Sequence, residues 1–473
     1  MESLGKEKKL FKDTLLYMVA NFGSKILLLI IYPVYTYFVL PKDLGNYDLI
    51  ISTLTLVYPI IVFSINDAVF RWLIDADEKK IDDIILVGLK TSIFNLIVID
   101  FIGIAINIIY KIPYGWIIIG IINVGSIYPV LQQIARGLKN NIIFALSGLI
   151  YAFSLIIANT LLLIILKTGV RGLLLSQIIA YLMGCIYLFA TIPNLRICNF
   201  FNNVDKTLKD EMIRYSVLLI PNSSCWWVMN ASDRYLIKFF VGDEANGIYA
   251  LAHKFPSIIN MITSVFSLAW QEQAITSFNE KDKDSYYSRI YNAYFRFLFM
   301  VCLILIPTTK WIIRYAVEQA YTSAWKYSGV LYLGSTFLAL ATFIGAGYLS
   351  SKETKRSMYT SMTGAVLNVV IDLLLIPFIG IEAAAISTLM GNGIVWLTRF
   401  IQSKKYFRLT VDWKCFCILF VVNILYIISV RYTSLKVDIF LTLIACCGFL
   451  FVNRELLQKI YSTTIKSLCS RKK

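Results

Sequence analysis

The chain has 473 residues, is 58% hydrophobic, and carries a formal net charge of +16. Its mean hydropathy is +0.69, and its apolar residues fall in blocks of about 20 or more, the length that crosses a ~30 Å hydrocarbon core. That excludes a soluble enzyme or a nucleic-acid binder, and the surplus of Lys and Arg reads as the positive-inside bias of a multi-span membrane protein.

Residues Met1 to Lys12 are basic, but the first apolar run is too long for a signal peptide and has no small-residue cleavage site, so no cleavable leader is expected. In chain order, hydropathy predicts about fourteen spans: 12–40, 44–70, 83–109, 113–135, 142–166, 170–192, 212–241, 244–273, 288–313, 325–350, 356–379, 381–401, 412–430 and 436–452. Pro59, Pro129, Pro221 and Pro256 fall inside this pattern and are expected to interrupt spans. The nine cysteines form no CxxC pair and there is a single histidine, so no metal site is expected and the cysteines read as small hydrophobes.

An even span count puts both termini on one side. The loops on that side hold about 29 Lys and Arg against about 8 in the alternate loops, which predicts cytoplasmic termini. The longest loops, 193–211 and 274–287, are too short to house a catalytic module. A transporter is therefore expected, with no catalytic residues.

Two pairs of segments echo each other. Phe38-Val-Leu-Pro-Lys-Asp-Leu-Gly45-Asn-Tyr47 resembles Phe240-Val-Gly-Asp-Glu-Ala-Asn-Gly247-Ile-Tyr249, and Gly169-Val-Arg-Gly-Leu-Leu-Leu-Ser176 resembles Gly380-Ile-Glu-Ala-Ala-Ala-Ile-Ser387. Both recur six spans apart, which keeps orientation and predicts two parallel six-helix lobes. The expected division is an N-terminal lobe 1–192, a linker 193–211, a C-terminal lobe 212–406, and an extra helix pair with a basic tail, 407–473.

The most informative stretch runs from Pro221 to Ala274. It reads as two apolar helices joined at Gly242-Asp243-Glu244. Trp226, Asn230, Arg234 and Lys238 follow at intervals of four and share one face, while His253, Ser257, Asn260, Ser264 and Gln271 form a polar stripe on the second helix. Charge facing lipid costs several kcal/mol (about 2.5–3.5 for insertion at the helix centre), so these residues are expected to face a cavity. Lys25, on a face with Asn21, Tyr32 and Tyr35, either lines that cavity or pairs with Asp100 or Asp372. Arg234 is a substrate or gating residue, or half of a salt bridge; Asp233 points about 100° away from it on a helix. Lys238 either lines the cavity or snorkels outward, and Lys254 and Trp227 are further lining candidates. Ion-coupling or gating candidates are His253, Asp233, Asp372 (four residues after Asn368) and Asp100, with H+ or Na+ as the coupling ion. The basic surplus favours an anionic solute such as a diphosphate or an acidic sugar.

The pattern Ile220-Pro-Asn-Ser, Trp226-Trp227, Asn230-Ala-Ser-Asp-Arg234-Tyr, Gly242-x-Glu244-Ala-Asn-Gly247-Ile-Tyr249, Lys254-x-Pro256 and Ala269-Trp270-Gln271 resembles the bacterial polysaccharide-biosynthesis flippases. Asn21-x-Gly-Ser-Lys25, Pro33-x-Tyr35, Gly45-x-Tyr47, Phe70-Arg71 and Ala135-Arg136-Gly137 resemble that family too. The resemblance implies the two-lobed fold shared with multidrug exporters and the lipid II flippase, in the bacterial inner membrane. It implies a polyprenyl-diphosphate-linked oligosaccharide of the O-antigen or capsule type as substrate. It also implies ion-driven alternating access, other polysaccharide-assembly proteins as partners, and basic cavity residues at Lys25 and Arg234. The alternatives are a multidrug exporter, the lipid II flippase and a membrane polymerase. The first calls for cavity acids in span 1, where Lys25 stands; the last needs a large outer loop, and the loops are short.

Overall fold

The computed structural model describes residues 23, 26, 27, 29, 31–74, 76–192, 195, 204–276, 282–350, 354–405, 407–454 and 458. Helices supply every regular element among them, and eleven are long and apolar enough to cross a membrane. The chain is an all-α polytopic membrane protein, as its hydropathy predicts. Span 12–40, with Lys25 and Asn21, lies largely outside the described residues.

Prolines decide where helices stop, though not always as expected. Pro59 and Pro129 sit inside the unbroken helices Pro41–Ile61 and Gly115–Gly137. The expected span 44–70 does break, but after Pro59: the chain turns at Phe63 (φ 53°) and Ser64 (φ 50°) and resumes as Ile65–Ile74. There the Ser64 amide donates to the Pro59 carbonyl at 2.7 Å. Span 212–241 divides into Lys206–Val217 and Ile220–Phe240, with Pro221 in the first turn of the second, where its missing N–H costs nothing. Span 244–273 is also two helices, Asp243–Lys254 and Ser257–Thr276, parted at Phe255-Pro256. Pro256 cannot donate to the Ala252 carbonyl, and Ser328 Oγ donates to that carbonyl instead, at 3.4 Å. The stripe from His253 to Gln271 therefore does not run along one continuous helix. Span 142–166 starts as an α-helix, Asn141–Asn159, and ends as a π-turn, Thr160–Ile165.

Contacts divide the chain into two compact units, Met1–Ala231 and Ser232–Lys473, parted within the Ile220–Phe240 helix. The first unit packs Ile65, Val69, Leu73, Ile84, Val87, Val130, Leu131 and Ile134 into one apolar core. Beside it lies a polar aromatic network. Tyr151 donates to Gln177 Oε1 at 2.7 Å, Gln177 to Tyr47 Oη at 2.8 Å, and Gln132 to Tyr128 Oη at 2.8 Å. The rings of Tyr128 and Tyr151 stack with centroids 5.7 Å apart. Glycine makes this possible at two points: a Cβ on Gly125 would lie 2.5 Å from Tyr58 Oη, and one on Gly184 2.4 Å from Tyr128.

In the second unit the central element is 319–348, 83% buried over its apolar window. It packs against Ile381–Ser403, where a Cβ on Gly334 would lie 3.4 Å from the Leu389 backbone, and Ile381–Ser403 packs in turn on Thr354–Ile379 through small residues that let backbones approach, a Cβ on Gly391 falling 3.1 Å from the Gly364 carbonyl. The C-terminal helices Trp413–Tyr432 and Leu435–Val452 are peripheral, 22% and 11% buried. The echoed glycines share a backbone conformation: Gly169 has φ 60°, ψ −138° and Gly380 has φ 60°, ψ −135°, each heading a helix.

Candidate functional site: buried carboxylates in the second unit

Asp233 and Arg234 sit in the latter half of the Ile220–Phe240 helix, both buried, at 1% and 8% exposure. Burying a carboxylate is costly unless donors surround it. Asp233 accepts from the hydroxyl of fully buried Tyr249 and from the backbone N–H of Arg234 at 2.9 Å. The Arg234 guanidinium lies 3.7 Å from Asp233 Oδ1, an ion pair without hydrogen-bond contact, as expected of neighbours pointing apart on a helix. Tyr249 comes from Asp243–Lys254, whose start is set by Gly242 at φ 118°, a conformation that favours glycine.

Asp372 is fully buried one turn after Asn368 on the Thr354–Ile379 helix, so both face the same way. Ser387 on the next helix donates to Asp372 Oδ1 at 2.5 Å. Asn368 donates to Ser387 Oγ at 3.2 Å and accepts from Ser232 Oγ at 3.2 Å. Asp372 Oδ2 has no hydrogen-bond partner among the described residues. Two carboxylates and one guanidinium are thus buried in the second unit, with one carboxylate oxygen unmatched among the described residues. Asp372, Asn368 and Ser387 together offer carboxylate, hydroxyl and amide groups, the donor types that protons and small hard cations take. Among the described residues no three His, Cys, Asp or Glu side chains cluster.

The other candidates fall elsewhere. Asp100 is in the first unit, half-buried, and accepts from the neutral Asn123 amide at 2.8 Å. Trp227 donates to the Ser52 carbonyl at 2.7 Å, and exposed Asn230 donates back to the Trp226 carbonyl at 2.7 Å. Lys238 pairs with Asp243 at 2.9 Å across the helix turn, at the partly exposed end of the helix. His253 and Lys254, half-buried, close the Asp243–Lys254 helix where positive charge suits the helix dipole; the His253 ring lies 5.8 Å from that of Tyr249. Trp270 is core, stacked on Phe343 at 4.1 Å and donating to its carbonyl at 2.9 Å.

Three buried charges escaped the sequence reading. Arg399 donates to the Ala341 carbonyl at 3.0 Å, Ser361 Oγ at 3.0 Å and Thr360 Oγ1 at 3.1 Å. Lys310 contacts Asp438 at 2.9 Å and donates to the carbonyls of Val430 at 2.6 Å and Thr433 at 2.8 Å. Ionisable residues inside apolar runs were the available signal, and their positions near the ends of runs concealed them.

An all-helical multi-span fold with buried ionic clusters defines the class: a polytopic α-helical membrane protein. Solved structures agree. The lipid II flippase MurJ in an inward closed conformation matches with a TM-score of 0.64 at 16% identity, over 94% of this chain and 100% of that one. An inward-facing multidrug resistance MATE family transporter of the MOP superfamily matches with a TM-score of 0.62 at 12% identity, over 82% and 94%. The chain itself belongs to the polysaccharide biosynthesis protein family, whose sequence profile matches residues 10–270. An uncharacterised membrane protein of Methanocaldococcus jannaschii is 25% identical over 246 residues, 49% of this chain and 58% of that protein, so the match spans little more than half the relative's length.

Proposed function

We propose that the protein is a flippase that moves a polyprenyl-diphosphate-linked oligosaccharide across the cytoplasmic membrane for surface polysaccharide assembly. The family membership supports the pathway, and the shared fold with MurJ supports a lipid-linked cargo. The single observation that carries the mechanism is the buried acid cluster with its unmatched Asp372 oxygen. On this reading an H+ or Na+ entering at Asp372 and Asn368 neutralises the cluster. The binding energy then favours one arrangement of the transport cycle, because a ligand shifts a conformational equilibrium only through differential affinity. Arg234, held beside Asp233, senses that charge balance; when the cation is absent Arg234 is the counter-charge, and when it is present the guanidinium is released toward a substrate diphosphate. Lys25 would supply a second cation to the head group.

The two-lobe division 1–192 and 212–406, with termini in the cytoplasm, belongs to this proposal. The matching conformations of Gly169 and Gly380 support the repeat behind it. The test is complementation of a strain lacking the protein. Wild type should restore surface polymer, and Asp372→Asn at equal membrane abundance should leave lipid-linked units on the inner leaflet. Normal polymer in the null strain, with lost resistance to cationic dyes, would sink the flippase reading and favour the multidrug exporters that share the fold.

A further inference from the structure

A second built site lies in the first unit, at the end of the bundle where the Glu78–Tyr110 helix hands over to Gly115–Gly137 and where Val170–Thr191 begins. The connection is tight: Lys111 (φ 47°) and Tyr114 (φ 61°) both adopt the left-handed conformation. The turn opens a cleft of ≈ 470 Å³ lined by Asn107, Lys111, Tyr114, Trp116 and Arg171 among others, within the ~300–1,000 Å³ range of small-molecule sites.

Three features of this cleft have no structural explanation within the chain. Lys111 and Arg171 are exposed, and among the described residues neither side chain makes an ion pair or a hydrogen bond. Asn107 is 6% exposed, yet its Oδ1 has no partner among the described residues. A buried amide oxygen left bare costs about 1–3 kcal/mol. The backbone is shaped around it: a Cβ on Gly115 would lie 1.8 Å from Asn107 Oδ1, so only glycine leaves the amide in place. Gly115, Trp116 and Ile117, the first turn of Gly115–Gly137, also line the cleft, and a helix N-terminus carries partial positive charge. Its rim is apolar and outward-facing, with Ile108 62%, Trp116 62% and Ile112 42% exposed.

We propose that this cleft holds the headgroup of a membrane lipid that joins a phosphodiester to a hydroxyl or ammonium donor, such as phosphatidylglycerol. The phosphate is paired by Arg171 and Lys111. The headgroup donor satisfies Asn107 Oδ1, and the acyl chains lie along Ile108, Ile112 and Trp116. The exposed apolar rim distinguishes a lipid from a free phosphate ion, which has no use for it, and Trp116 and Tyr114 suit the membrane interface. This assignment does not depend on the transported substrate.

The test uses the full-length protein, delipidated in detergent, with melting temperature followed as phosphatidylglycerol, phosphatidylcholine or inorganic phosphate is added. Phosphatidylglycerol should stabilise the wild type more than phosphatidylcholine, whose quaternary ammonium cannot donate. Lys111→Ala combined with Arg171→Ala should weaken that binding by about 30-fold, with an unchanged melting temperature before lipid is added. Asn107→Leu should narrow the preference over phosphatidylcholine. Equal stabilisation by the two lipids, or full retention of the phosphatidylglycerol effect in the double variant, overturns the assignment. Stabilisation by inorganic phosphate equal to that by lipid assigns the cleft to a free anion and overturns the lipid reading.

Discussion

At the scale of single residues, the chain stores ionisable groups in apolar surroundings and compensates them unevenly. Among the described residues Arg399 is matched by neutral acceptors: the carbonyls of Ala341 and Ser357 and the hydroxyls of Ser357, Thr360 and Ser361. Arg399→Met should leave those groups without donors and lower stability by about 1–3 kcal/mol, read as a fall in melting temperature. Asp372 is the opposite case, with one oxygen satisfied by Ser387 and one bare. Asp372→Asn should leave the melting temperature unchanged or raised, because it removes a buried carboxyl with one unmatched oxygen, while export falls by about tenfold or more if the acid carries the coupling ion. A stable variant with full export would remove Asp372 from the mechanism.

At the scale of elements, helix breaks are placed by chemistry that can be edited. The gap between Lys254 and Ser257 exists because Pro256 removes a donor, leaving the Ala252 carbonyl to Ser328. Pro256→Ala restores an N–H and should join the two helices, raising the melting temperature while slowing export if the break is a hinge that bends during transport. The Trp413–Tyr432 helix is capped by Asp412. Its carboxyl accepts the Cys415 amide at 3.1 Å and pairs with Arg296 at 2.8 Å, and the amide first, then the guanidinium, holds it below the ordinary carboxylate range. A carboxyl lowered on folding stabilises above its unfolded pKa and loses that contribution as pH falls through the lowered value. Asp412→Ala should cost about 1 kcal/mol or less near pH 7, and nothing once wild-type Asp412 is itself protonated; thermal melts at both pH values check this.

At the scale of the whole molecule, the question is what keeps a peripheral helix pair attached in lipid, where apolar surface gives no drive for helices to associate. The Lys310 ammonium answers it for the C-terminal pair. It sits in the second unit against Asp438 and two carbonyls at the turn between the last two helices. Lys310→Met alone should cost about 3–5 kcal/mol by stranding Asp438. Pairing it with Asp438→Leu should recover much of that loss, and limited proteolysis at the C-terminal turn should follow the same order.

What the sequence determined by itself follows from solvent physics: blocks of about 20 apolar residues settle the polytopic all-α class, since no other backbone satisfies its own hydrogen bonds in lipid. The Trp226 to Gln271 motifs led to the family, and the spacing of Asn368 and Asp372 put two polar groups on one helical face. Tertiary structure alone decided which charges meet. Ser387 reaches Asp372 from another helix, Tyr249 reaches Asp233 across a turn, and Asp438 reaches Lys310 from more than a hundred residues away. Periodicity records the face a residue occupies but not the partner that face finds, because partners are chosen by helix packing, which depends on small residues such as Gly391 and on breaks such as Pro256.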